Sequence, residues 1–137
     1  MLDIYTISTD TWRTVIPSPD PTQGYPGPRS VHGFVPFQSK LNPAAVALLY
    51  HGERDASTLG HAGAGTFWDD IWLLEHKGGN LSWKKVETAE DRTNPEGRGW
   101  IPSASYVDER GETKVVMFGG LLSSNERSDE LWVLEVK

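Results

Sequence analysis

The chain of 137 residues contains no cysteine. Disulfide stapling, thiolate metal sites and cysteine nucleophiles are therefore excluded, and a reducing compartment is permitted. Long apolar runs are missing as well. Nothing in the sequence approaches the roughly 20 residues that a bilayer crossing needs. The start, Met1-Leu2-Asp3-Ile4-Tyr5, has neither a basic n-region nor an apolar h-region. The expectation is a soluble, cytoplasmic protein with no membrane partner. Basic charge is scarce: 13 Lys and Arg are dispersed among 19 Asp and Glu, for a net charge of -6. That balance offers no electrostatic footprint for a phosphate backbone, so no nucleic acid partner is expected.

What is present is glycine and proline in quantity, 14 and 9 residues, spread along the chain so that they punctuate many short elements. This points to an all-β fold, and the length suits one domain over 1–137. Internal repetition supports it. Asp3-Ile4-Tyr5-Thr6-Ile7, Asp70-Ile71-Trp72-Leu73-Leu74 and Glu130-Leu131-Trp132-Val133-Leu134 share an acid, an aliphatic, a large aromatic, a variable residue and an aliphatic. A tryptophan strand follows twice, at Thr11-Trp12-Arg13-Thr14-Val15 and Ser82-Trp83-Lys84-Lys85-Val86. Gly27-Pro28-Arg29-Ser30 and Glu96-Gly97-Arg98-Gly99 each lead into a short apolar strand, Val31 to Phe37 or Ile101 to Val107. Apolar strands ending on glycine come next, Ala45 to Gly52 and Lys114 to Gly120. Arg29 to Gly52 is 23 positions and Arg98 to Gly120 is 22, so the registers match.

The unit is thus an arginine strand, a glycine-ended strand, an acid-aliphatic-aromatic strand and a Trp strand. In this order the chain resembles the kelch repeat, with Gly119-Gly120 as the paired glycine, His51-Gly52 keeping its second member, and Tyr5/Trp12 and Trp72/Trp83 as the downstream aromatics. The resemblance implies a partial kelch-type β-propeller: the end of one blade over 1–16, a complete four-stranded antiparallel blade over 29–87 and the first three strands of the next over 98–137. That is one complete blade plus two part-blades, about two blades of strands in all. A closed ring takes about four blades or more, so the chain is expected either to be a fragment of a longer protein or to assemble. Alone, with open sheet faces and strand edges, it is expected to be aggregation-prone.

Gly52 to Asp70 spans 18 positions where Gly120 to Glu130 spans 10. The extra residues form one long loop, a place where binding groups are commonly carried by a rigid scaffold. Its Gly60-His61-Ala62-Gly63-Ala64-Gly65 run reads either as a backbone cradle for an anion or as a flexible cover. With Arg98-Gly99-Trp100 and Asn125 to Trp132 further on, the loop resembles the C-terminal part of nitrile-specifier and epithiospecifier kelch proteins and their fungal relatives. Those proteins divert unstable glucosinolate aglucones toward nitriles, with ferrous iron held by Glu-x3-Asp-x3-His. The resemblance implies Fe(II) at Glu53 and His61, which sit eight apart; Ser57 occupies the middle position and Asp55, two residues early, is the substitute carboxylate. Fe(II) favours imidazole with carboxylates, and a Glu/Asp/His set in a loop also reads as a solvated or salt-bridged cluster. The copper-oxidase branch of kelch folds needs a cysteine and is excluded.

Arg29 and Arg98 are the candidate catalytic residues, as forks for a leaving sulfate. Their alternative reading is structural, tying adjacent blades through backbone carbonyls or an acid. Trp68 and Trp100 read as core or as walls of an apolar pocket. His32 and His51 are expected to be packed or hydrogen-bonded, and His76 to sit exposed in a hairpin. Two functions follow: an Fe(II)-dependent specifier-like enzyme acting on a small sulfur-containing ligand, or a non-catalytic kelch scaffold that binds a protein partner.

Overall fold

The computed structural model describes residues 1–88 and 93–135. Residues 136 and 137 of the third repeat copy lie outside the described residues. The strands in chain order are β1 (Leu2–Thr6), β2 (Thr11–Val15), β3 (Gly33–Pro36), β4 (Ala45–Tyr50), β5 (Glu53–Asp55), β6 (Thr66–Phe67), β7 (Ile71–Lys77), β8 (Asn80–Lys85), β9 (Arg98–Gly99), β10 (Ser103–Val107), β11 (Thr113–Phe118), β12 (Leu121–Leu122) and β13 (Leu131–Glu135). One 3-10 turn, Gly60–Ala62, is the helical element among the described residues. The class is all-β with antiparallel sheets.

At the centre is a four-stranded sheet in the order β3-β4-β7-β8. Its last hairpin turns at Gly78-Gly79, both at positive φ, the conformation that matches the twist of the flanking strands. On one side stands the three-stranded sheet β10-β11-β13 and on the other the ribbon β1-β2. The strands of the central sheet repeat the expected order.

Alternation on the pleat sorts the core into two layers. Val35, Phe37, Leu48, Tyr50, Ile71 and Leu73 point to one face and meet Val115 and Met117, with Trp132 and Leu134 against the same core. Ala47, Leu49, Trp72, Leu74 and Trp83 point to the other, where Leu2 packs on them. Burial on both faces is why β4 and β7 are continuously apolar rather than alternating. Each fully buried large aliphatic contributes about 1.5–3 kcal/mol. The sheets stack without closing into a ring.

The outer edge of β8 is covered. Ser18 donates its N–H to the Leu81 carbonyl and accepts from the Trp83 N–H, both at 2.9 Å, and Asp20 accepts the Lys85 N–H at 3.1 Å. This strap, residues 17–20, takes up backbone groups that an open edge would leave unpaired.

Candidate functional site

Both candidate arginines open a repeat copy, and both are held in the same way. Arg29 donates Nε to the Gly27 carbonyl (3.0 Å), Nη1 to the His51 carbonyl (3.0 Å) and to Asp70 Oδ1 (2.6 Å), and Nη2 to Asp70 Oδ2 (3.0 Å). Arg98 donates Nε to the Glu96 carbonyl (2.9 Å), Nη1 to the Gly119 carbonyl (3.1 Å) and Ser128 Oγ (3.0 Å), and Nη2 to Glu130 Oε2 (2.8 Å). The acid then accepts an indole N–H from two residues on, Trp72 to Asp70 at 2.7 Å and Trp132 to Glu130 at 3.2 Å. Residues i and i+2 of a strand share a face, so the acid-aliphatic-Trp spacing presents carboxylate and indole to one guanidinium. Burial pushes the Asp70 carboxyl up, but the hydrogen bonds from Arg29 and Trp72 outweigh it and hold the group below its ordinary value. Glu130 is lowered chiefly by its hydrogen bond from Arg98.

The backbone around these forks repeats too. His51 and Gly52 have φ of 55° and 99°, and Gly119 and Gly120 have 65° and 97°. His51 thus occupies a left-handed position that its counterpart fills with glycine, a conformation costing an L-residue about 1–2 kcal/mol. Val31 and Trp100, each two residues after its arginine, share φ values of 48° and 52°. The copies interlock here: Gly52 donates to the Arg98 carbonyl and Trp100 to the Val31 carbonyl, both at 2.9 Å.

The long loop folds back as a ribbon, β5 paired with β6. Gly65 is required in it, because a Cβ there would collide with the Asp55 carbonyl. Half of the glycine run forms a short 3-10 turn closed by its own backbone. The N–H groups of Gly60, Ala62 and Gly63 are donated to the carbonyls of Ser57, Leu59 and Gly60 within the turn. Trp68 has two guanidiniums near its ring, Arg29 at 5.2 Å and Arg54 at 5.4 Å from the centroid, and donates Nε1 to the Pro28 carbonyl. Trp100 is half exposed and meets Phe67 edge-on at 6.4 Å. Trp68 and Trp100 therefore belong to the surface of this end, outside both core layers.

The residues proposed for iron are placed on this ribbon. Glu53 is half-buried, with Oε2 accepting from Ser30 Oγ at 3.4 Å. The exposed Asp55 carboxylate accepts from Arg54 Nε (2.8 Å) and Thr66 Oγ1 (2.7 Å), and these hydrogen bonds lower its pKa. Ser57 Oγ accepts the Leu59 N–H, and His61 is exposed on the 3-10 turn. Among the described residues no three His, Asp or Glu side chains form a group able to hold a metal ion. As folded, Glu53, Asp55 and His61 are not brought together as a donor set for Fe(II). His51 is buried as expected, His32 lies at the surface but is partly desolvated and hydrogen-bonded to the backbone of Arg29, and His76 is exposed in its hairpin.

A cavity of about 300 Å³ lies elsewhere, between the amino-terminal residues and the central sheet, lined by Leu2, Tyr25, Arg29, Phe34, Leu49 and Trp83 among others. Glu53, Asp55 and His61 do not line it.

Sequence reading missed the partners of the arginines. The signal was present in the acid that opens all three aromatic strands, Asp3, Asp70 and Glu130. It also missed Arg54, whose residue type has no counterpart at Leu122.

No family model matches the chain. It is similar to an N-(sulfonatooxy)prop-2-enimidothioate sulfolyase of Thlaspi arvense, 28% identical over 89 residues, which is 65% of this chain and 24% of that protein. The chain thus matches well under half the length of that relative. Among the described residues no helix is long and apolar enough to cross a membrane.

Proposed function

We propose that the chain is part of a kelch-type β-propeller similar to nitrile-specifier proteins, and that the face carrying the β5–β6 ribbon receives a small sulfur-containing anion destined for a nitrile. The observation that carries this reading is Arg54: its guanidinium is half exposed and rests over Trp68. Partial similarity to a sulfolyase whose named substrate bears a sulfonatooxy group supports the same ligand class. Arg29 and Arg98 already serve an acid and two carbonyls each, so a sulfate would have to displace Asp70 or Glu130 to reach them. Arg54 engages Asp55 through Nε, which leaves its two terminal nitrogens for two sulfate oxygens. When sulfate departs it takes the electron pair of the N–O bond, the C–S pair becomes the third bond of the nitrile and sulfur is released at the elemental level, and a cation beside the sulfate stabilises the dianion that develops. The indole faces exclude water from the alkenyl end of the ligand. Because Glu53, Asp55 and His61 do not converge, no step is assigned to iron.

The test is product analysis with the aglucone released in situ from allyl glucosinolate by a thioglucosidase. The wild-type protein should raise the nitrile fraction over a protein-free control, and Arg54→Ala should remove most of that gain, about tenfold, the value of one charge-assisted pair. A product ratio equal to the control would sink the reading. That outcome would favour the second reading, a non-catalytic kelch scaffold, which rests on the engagement of both forks by the protein's own groups.

A further inference from the structure

We propose that Trp68 is the positioning residue of the ribbon's anion site, its indole holding the Arg54 guanidinium so that both terminal nitrogens stay presented to a tetrahedral anion. The inference rests on the reading that Arg54 receives the sulfate. It starts from register. Glu53 pairs with Phe67 and Asp55 with Thr66, so Arg54 is one residue too many in β5. An extra residue of this kind is a β-bulge, which bends the strand and re-aims a side chain. The Arg54 side chain comes over Trp68, with Cζ 5.4 Å from the ring centroid. Asp55 takes the Nε edge at 2.8 Å, but both members of that pair are open to water, and a surface ion pair fixes a long side chain only weakly. The indole is pinned instead. Its backbone N–H reaches the Gly52 carbonyl at 2.9 Å and Nε1 reaches the Pro28 carbonyl at 3.1 Å. Its six-membered ring takes the place a side chain would need at Gly27, where a Cβ would collide with Cζ2.

The next repeat copy shows that the fold does not require this arrangement. There Leu122 stands in place of Arg54, Ser128 in place of Trp68 and Glu96 in place of Gly27. Its hairpin is paired in step, Leu121 opposite Arg127 and the Leu122 N–H on the Glu126 carbonyl at 2.9 Å, without an extra residue. Arg98 nevertheless grips Glu130, Ser128 and the Gly119 carbonyl much as Arg29 grips its own partners. An indole at position 68 is therefore no condition of the arginine fork. Cation, ring and the glycine that makes room for the ring occur together in one copy and are replaced together in the other. A ring face attracts a guanidinium through its quadrupole, and a side chain already held in place loses less freedom when an anion binds. The three residues thus work as one device that presents a cation at the surface.

Inorganic sulfate is the probe, followed by proton–nitrogen NMR of the arginine Nε–H groups. The Arg54 signal, assigned by its loss in Arg54→Lys, should lie upfield through the ring current of Trp68 and move as sodium sulfate is added at constant ionic strength. Trp68→Leu should abolish the upfield position and weaken sulfate about two- to fivefold, the worth of a cation over a ring at an exposed site. Trp68→Phe keeps a ring face and should stay within about twofold of the wild type. Gly27→Ala drives the indole off its seat with both partners intact, so it should behave like Trp68→Leu and carries the test if that variant does not fold. An Arg54 signal at its ordinary position in the wild type, or equal sulfate affinity in Trp68→Leu and wild type, overturns the proposal. The nitrile fraction separates it from the reading it rests on. If Arg54→Ala loses the gain and Trp68→Leu keeps it, the positioning role falls and the ligand reading stands. If the wild type gives the control ratio, the ligand reading falls, and the sulfate titration still decides whether Trp68 positions Arg54.

Discussion

Asp70 is a largely buried carboxylate whose neutralisation depends on one guanidinium. Replacing Arg29 by Met keeps volume but leaves that charge without its partner and the His51 carbonyl without a donor, a change worth about 3–5 kcal/mol. Urea unfolding should show it as a fall in midpoint, and Arg29→Met combined with Asp70→Asn should recover part of the loss. Arg98→Met should cost less, because Glu130 is half exposed and can turn to water. His51 sets the pH dependence. Burial above all, aided by the positive charge of Arg98, lowers its imidazole to about 4 against the opposing pull of Asp69 and Asp70. The unfolded chain takes this proton near 6.5 and the folded chain does not until about 4, so the unfolded state binds more protons in between. Stability should be level above pH 6.5 and fall by about 3 kcal/mol as pH drops toward 4. His32, lowered chiefly by desolvation, adds in the same direction. Urea midpoints measured from pH 7.5 to 4 check this, and His51→Asn, which tolerates the left-handed backbone, should flatten most of the slope. Below that window the loss continues through the carboxylates, among them Asp20, held at about 2 mainly by the N–H groups of Thr22 and Gln23.

Among the elements, the β5–β6 ribbon is the piece with least core beneath it, and it depends on Gly65. Gly65→Ala forces a methyl against the Asp55 carbonyl, so the ribbon should open while the central sheet persists. Trypsin cleavage after Arg54 should then become faster by an order of magnitude or more, with the cooperative unfolding transition little changed; equal cleavage rates would show that the ribbon is already open in solution. This element was not legible in sequence. Two strands of three and two residues, Glu53-Arg54-Asp55 and Thr66-Phe67, carry no periodicity that could outvote a Gly-rich loop. The strap over β8 was missed as well, since Ser18 acts through its own backbone groups and the Asp20 carboxylate serves a backbone N–H of β8. In contrast β4 and β7 were plain, because a strand buried on both faces is apolar at every position. The iron residues fall between these cases. Their spacing is visible, but spacing along a chain does not fix convergence once the loop folds into a ribbon that turns Asp55 toward Arg54 and Thr66.

At the scale of the whole molecule, stacked sheets make equivalent residues unequal. Leu73 and Val133 hold the same place in successive copies, yet Leu73 is covered by the third sheet and Val133 is not. Leu73→Ala should cost about 2–4 kcal/mol, and Val133→Ala no more than about 0.5 kcal/mol at dilutions where the chain is single. Unfolding midpoints compared at low protein concentration test the stacking, and equal costs would contradict it.

The sequence alone determined the long strands of the repeat, their order and their apolar character, because hydrophobic patterning and glycine punctuation act between residues that are near neighbours in the chain. Tertiary structure decided which acid each arginine grips, how the long loop folds and which faces stay open. Those outcomes depend on pairing register across 41 positions for Arg29 and Asp70 and 32 for Arg98 and Glu130, and on which sheet lies over which. A guanidinium takes the carboxylate that packing delivers to it, and no local pattern encodes that delivery.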